Sequence, residues 1–151
     1  MNISFRDLTV YKKAFELAME IFEISKTFPK EETYSLTDQI RRSSRSVCTC
    51  ISEAYRKRKY EAYFISKSSD ADMENSETQV WLDFSYKCDY IIKTDYILLM
   101  QKSVEVGKML NHMISPFVPS ALSYSLISLT FSIPSFAANS ISTMLSVKNN
   151  S

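Results

Sequence analysis

From residue 7 to about residue 113, apolar side chains recur every three or four positions, the spacing of amphipathic helices. The pattern predicts four of them. In the first, over residues 7–26, Leu8, Tyr11, Ala14, Phe15, Ala18, Ile21, Phe22 and Ser25 share a side, with Asp7 as the expected cap. Phe28-Pro29 ends it, because proline cannot continue a helix and pushes the residue before it toward an extended conformation. The second, residues 35–59, is the most sharply divided. Leu36, Ile40, Ser43, Val47, Ile51 and Ala54 fall on one narrow face, and Arg41, Arg45, Ser52, Arg56 and Lys59 on the opposite one. Its start, Ser35-Leu-Thr-Asp38, reads as a relative of the capping box.

The third helix, residues 60–89, carries two stripes. Phe64, Ala71, Asn75, Thr78 and Leu82 lie on one side, Met73, Val80 and Phe84 on the other, with Trp81 between them. Burial on both sides predicts a subunit interface through Met73, Val80, Trp81 and Phe84; the alternative is a partly exposed aromatic cluster with no partner. The fourth opens near Thr94-Asp95, an N-cap followed by an acid that suits the helix dipole. It continues through Tyr96, Leu99, Ser103, Val106, Leu110 and Met113 until Pro116 and Pro119 stop it. Four such helices with short connections predict an all-α fold, an antiparallel up-down four-helix bundle over residues 1–116.

Composition supports that reading. A chain of 151 residues suits one domain, and with one Gly and only Pro29 before residue 115, the first 115 residues are almost without helix breakers. Residues 117–151 are of another kind: no charge falls between Met113 and Val147, and ten of those positions are serine. Pro134 divides this stretch into pieces of 14 and 13 residues, short of the roughly 20 that a membrane-spanning helix needs. It reads as a poorly ordered or loosely packed extension, with a frameshifted end as a third possibility, and no membrane role is expected.

Net charge is only +1, yet the charges are segregated. Residues 38–68 hold eight Lys/Arg against Asp38, Glu53 and Glu61, whereas residues 69–117 hold four Lys against eight acids. The odd set Cys48, Cys50 and Cys88, behind an N-terminus with Arg6 and Asp7 where a signal peptide would be apolar, predicts a reducing cytoplasm and free thiols.

Candidate chemistry is sparse. Cys48 and Cys50 stand two apart on a helix, point to different sides and cannot share a tetrahedral metal site. His112 is the sole histidine and has no nucleophile beside it. Asp70, Asp72, Glu74 and Glu77 crowd one turn of the third helix, but a carboxylate-bridged di-metal bundle needs Glu-x-x-His pairs, and here Glu74 meets Glu77 at that spacing. Pairing of these acids with Arg41 and Arg42 is the expected role. No metal, no cofactor and no enzymatic activity follow. Arg56-Lys57-Arg58-Lys59 is harder to absorb, because four consecutive cations around a helix end cannot all find internal partners. With Tyr55, Tyr60 and Tyr63 interleaved, they could contact phosphates and stack bases; a solvated face and a dock for an acidic protein are the alternatives.

Phe5-Arg-Asp-Leu, Phe28-Pro-Lys-Glu-Glu, the run from Tyr34 through Val47, Ile51-Ser-Glu-Ala, Glu74-Asn-Ser-Glu-Thr-Gln79 and Gly107-Lys-Met-Leu-Asn111 together resemble the proteins encoded in intervening sequences of bacterial 23S ribosomal RNA genes. The resemblance covers about residues 3–115. It implies a four-helix bundle that forms a ring-like homo-oligomer, expected to be a pentamer. The accessory variability proteins of diversity-generating retroelements look similar, and imply a basic surface that works with RNA and a reverse transcriptase. Two positions depart from the family pattern: Cys50 stands where Asn is usual and Tyr55 where many members have Gly. Together these readings predict a non-enzymatic protein whose Arg41, Arg45, Arg56, Lys57, Arg58 and Lys59 contact RNA or DNA, or else an interaction scaffold.

Overall fold

The computed structural model describes residues 4–117. They form α1 (Thr9–Ile24), α2 (Leu36–Lys57), α3 (Glu61–Lys87) and α4 (Lys93–Ile114), with short 3-10 turns at Phe5–Asp7, Ser25–Thr27, Lys30–Glu32 and Ser115–Phe117. The expectations for residues 118–151 lie outside the described residues.

Neighbouring helices run antiparallel, and their polar contacts fix the register. Lys13 of α1 pairs with Glu105 of α4 at 3.0 Å, and Lys102 reaches back to Glu16 at 2.7 Å. Thr78 of α3 donates to Ser43 of α2 at 3.0 Å, while Tyr96 of α4 donates to Asp83 of α3 at 2.7 Å. Each helix packs mainly against two others, α2 and α4 both lying between α1 and α3.

The helix interiors follow the apolar pattern closely. All six residues of the predicted α2 stripe are buried, as are Ala71, Asn75, Thr78 and Leu82 on α3 and Leu99, Ser103, Val106 and Leu110 on α4. The core has two apolar halves. Val10, Ala14, Val47, Ile51, Val106 and Leu110 belong to one, and Leu17, Ile21, Ile40, Leu82, Ile91 and Leu99 to the other. Between them runs a polar belt. Asn75 donates to the Ser103 carbonyl at 3.0 Å and accepts from the Ser103 hydroxyl at 2.9 Å; Gln79 donates to that hydroxyl at 3.0 Å. Such groups are tolerated in a core because they are hydrogen-bonded to each other. Gly107 makes the closeness possible, since a β-carbon there would stand 3.1 Å from Asn75 Nδ2.

The helix ends differ from the sequence reading in three places. Asp7 does not cap α1: it closes the preceding 3-10 turn in a capping box with Ser4, whose N–H donates to Asp7 Oδ2 at 2.7 Å. Ser35 is the N-cap residue of α2, as its sequence predicts, but neither its side chain nor that of Asp38 makes a capping bond. That end is held by Glu32, whose carboxylate accepts from the Leu36 N–H at 3.3 Å, the Ser35 hydroxyl and the Tyr90 hydroxyl at 3.1 Å. The Ser35 bond, the Leu36 bond and the Tyr90 bond together keep the Glu32 carboxyl below its ordinary range. Finally, α4 begins at Lys93, one residue before Thr94, with no side-chain cap. At the other end of the α3–α4 connection, Asp89 adopts a left-handed conformation (φ 60°), and the Tyr90 and Asp89 N–H groups donate back to the Ser85 and Tyr86 carbonyls, a Schellman closure.

Candidate nucleic-acid interface

The helix α2 is unbroken through its four interior serines because the Ser43, Ser44 and Ser46 side chains do not interrupt the ladder; Ser44 returns its hydroxyl to the Ile40 carbonyl at 2.7 Å. The basic face therefore lies along one rod. It divides into two groups.

The first group sits at the α2–α3 turn. Arg56, Lys57, Arg58 and Lys59 are all exposed, and among the described residues none of them forms an ion pair. Arg58 donates to the Tyr55 carbonyl at 2.7 Å and lies 4.0 Å from the centre of the Tyr55 ring. Lys57 lies 5.3 Å from the Tyr63 ring, which meets Tyr60 edge-on at 6.3 Å; Tyr60 and Tyr63 are both exposed. Turn geometry produces this cluster: α2 ends at Lys57, α3 begins at Glu61, and the Tyr60 N–H donates to the Lys57 carbonyl at 2.8 Å.

The second group occupies the N-terminal half of α2. Arg41 was expected to pair with the acids of α3, but it turns the other way. Its Nε donates to Ser25 Oγ at 2.7 Å and its guanidinium lies 5.0 Å from the Phe22 ring, because Arg41 stands on the α1 side of the rod. Arg45 shares that ring at 5.4 Å. Arg42 does meet α3, pairing with Glu77 at 2.7 Å and donating to Gln39 at 2.8 Å. The same Glu77 oxygen accepts from Trp81 Nε1 at 3.1 Å. The three arginines line a groove of about 540 Å³ with Tyr34, Thr37 and Thr49. Two aromatic residues matter here. Periodicity put Phe22 on the apolar side of α1, but its role under Arg41 and Arg45 is visible only once α1 and α2 are side by side, and Tyr34, outside every predicted stripe, stands 93 % exposed at the groove. The sequence cue to Tyr34 was its place at the start of the family-like run Tyr34 through Val47.

The acids of α3 do not converge on a metal. Asp70 joins Lys67 at 3.3 Å, and Lys67 reaches Glu53 at 2.9 Å; Asp72 accepts from Asn111 at 3.5 Å. Among the described residues no group of three or more His, Cys, Asp or Glu is placed to hold a metal ion. Burial pushes the Asp72 and Glu74 carboxyls upward. It also pushes the Cys48 thiol up to about 11, and the half-buried Cys50 in the same direction, so neither is poised as a nucleophile at neutral pH. Cys88 is exposed on another helix end. On the outer side of α3, Met73, Val80 and Phe84 are 63, 49 and 52 % exposed, and Trp81 tilts against Phe84 at 5.8 Å. Among the described residues no helix is long and apolar enough to cross a membrane.

Residues 6–112 match the family model described as 23S rRNA-intervening sequence protein. Among solved structures, a protein with unknown function from the S23 ribosomal protein family of Bacteroides thetaiotaomicron is 31 % identical, with a TM-score of 0.64. That alignment covers 70 % of this chain and 95 % of the other. Comparison with curated proteins gives no match.

Proposed function

Because the chain belongs to the 23S rRNA-intervening sequence protein family, we propose from its own surface that it is a non-enzymatic, self-associating bundle of the cytoplasm that binds RNA or DNA. The observation that carries the reading is the exposed run Arg56 to Lys59, which no carboxylate neutralises among the described residues and which the exposed rings of Tyr60 and Tyr63 flank. Cations so placed release counterions when they meet phosphates, a gain that internal pairing would forfeit. Contacts of this kind position a nucleic acid without reading its sequence.

Self-association rests on a second feature. Exposed apolar side chains include two unlike patches: Met73, Val80 and Phe84 on α3, and a groove of about 630 Å³ between α1 and α4 lined by Phe15, Met19 and Leu98. Unlike patches joined head to tail form a ring when the rotation between copies closes, and the resemblance to ring-forming proteins sets five as the expected number. The same basic run supports a second reading, a scaffold whose basic helix docks an acidic partner protein, a reverse transcriptase among the candidates, or the acidic α3 of a neighbouring subunit.

At about 50 mM salt, a gel-shift assay should show the chain binding structured RNA, with affinity falling steeply as salt rises. Replacing Arg56, Lys57, Arg58 and Lys59 together by glutamate should abolish the shift while the mass by light scattering stays the same. Loss of the assembly with intact helicity would favour the scaffold reading. No shift by the parent chain at that salt would overturn nucleic-acid binding.

A further inference from the structure

The arginine groove at the start of α2 differs in kind from the cation cluster at its end. Its three guanidinium groups are held in place before any ligand arrives. Ser25 and Phe22 fix Arg41, Phe22 supports Arg45, and Gln39 with Glu77 fixes Arg42. Arg41 spends only its Nε donor on Ser25, and Arg42 leaves Nη1 unused, so donors remain for an incoming anion. Thr37, which also lines the groove, is buried with a hydroxyl that has no hydrogen-bond partner among the described residues. Among the described residues the one carboxylate on the lining is that of Asp38, against three arginines, of which Arg42 is paired with Glu77. A volume of about 540 Å³ lies within the roughly 300–1,000 Å³ of clefts that hold small molecules.

Tyr34 decides which anion fits. Its ring is 93 % exposed, and it stands on the same groove as the arginines. An aromatic face beside fixed cations suits a phosphate linked to a planar base. In a duplex the base faces are stacked on each other and out of reach, so the strand must be unpaired. Arg45 and Arg56 are eleven residues apart on one face of α2, about 16 Å along the axis, a span that a strand of several nucleotides covers. We propose that this groove seats an unpaired nucleotide, its phosphate on Arg41 and Arg45 and its base on Tyr34, and that the strand continues toward Arg56. This rests on the nucleic-acid reading above and adds to it a preference for single strands.

The test compares the full chain with its Tyr34→Ala and Tyr34→Phe variants. The probes are an unstructured 12-nucleotide RNA, the same sequence as DNA, and a blunt duplex of it. Trp81, the sole tryptophan, reports on the groove through Glu77 and Arg42. The expected result is preferential binding of the single strands, with a change in Trp81 emission on saturation. Tyr34→Ala should lower the single-strand to duplex affinity ratio about tenfold, the loss of one stacked base, and Tyr34→Phe should restore it. A ratio unchanged by Tyr34→Ala overturns the inference. If the glutamate variant of residues 56–59 still loses binding in that case, the broader reading stands without it. A parent chain that binds none of the three probes at about 50 mM salt overturns both. Binding of a phosphopeptide but of no polynucleotide would also overturn the inference, since it needs no base.

Discussion

Asp89 is the residue whose backbone works hardest. It supplies the left-handed step that turns α3 into α4, a conformation that costs a residue with a β-carbon and costs glycine little. Asp89→Gly should therefore stabilise the chain by about 0.5–1 kcal/mol, a rise in Tm of roughly 2–5 °C in a thermal melt. A fall would mean that the aspartate contributes something beyond its backbone. Residues of this sort are hard to read in advance. An aspartate after a helical run is compatible with a turn, a cap or a plain surface acid, and only the paired bonds to Ser85 and Tyr86 decide among them. Arg41 teaches the same lesson. Its position on the cationic side of α2 was legible from spacing alone, whereas its partner, a hydroxyl and a ring on α1 where an acid on α3 was expected, depended on which way that side faces.

At the scale of elements, helix interiors were legible and helix ends were not. Spacing of 3.6 survives any arrangement of the bundle, so the α2 stripe from Leu36 to Ala54 could be read without knowing its neighbours. Caps depend on groups far away in sequence. The start of α2 is held by Glu32 with help from Tyr90, which lies 58 residues further on. Glu32 makes a pH-dependent contribution whose sign is fixed. Its native carboxyl is held below the ordinary value of 4.5, so the stability it supplies is present above that value and is lost as pH falls through the lowered native one. In denaturant unfolding, Glu32→Gln should be less stable than the parent at pH 7, and the gap should close as pH falls below the lowered native value. A gap that persisted in acid would show that shape matters there more than charge.

For the whole molecule, the two-striped pattern of α3 separated an inner from an outer face, and the outer one is where Met73, Val80 and Phe84 stand exposed. Because none of these side chains supports the core, Phe84→Glu should leave helicity and unfolding unchanged. In light scattering it should reduce the mass of an assembled parent to that of one chain, 17.4 kDa. A parent that already has that mass would remove the interface from this face. The family and the four-helix architecture could be read from motifs and spacing. The division of the cations into a turn cluster and a groove could not, because Arg41, Arg45 and Arg56 share one face of α2 in the sequence pattern and differ in what surrounds them.

The polar belt across the middle of the bundle has a consequence for how the helices can meet. Antiparallel helices with purely greasy contacts can slip past one another by a turn, about 5.4 Å, at little cost, and a chain with that freedom has several nearly equal ways to settle. Here a slip of α4 along α3 would carry Ser103 away from Asn75 and bring Leu99 or Val106 against the amide, which would then lie dry and unanswered. The belt thus acts as a key in a keyway: it adds little to the strength of the bundle and much to its singleness, so that α3 and α4 meet in one register.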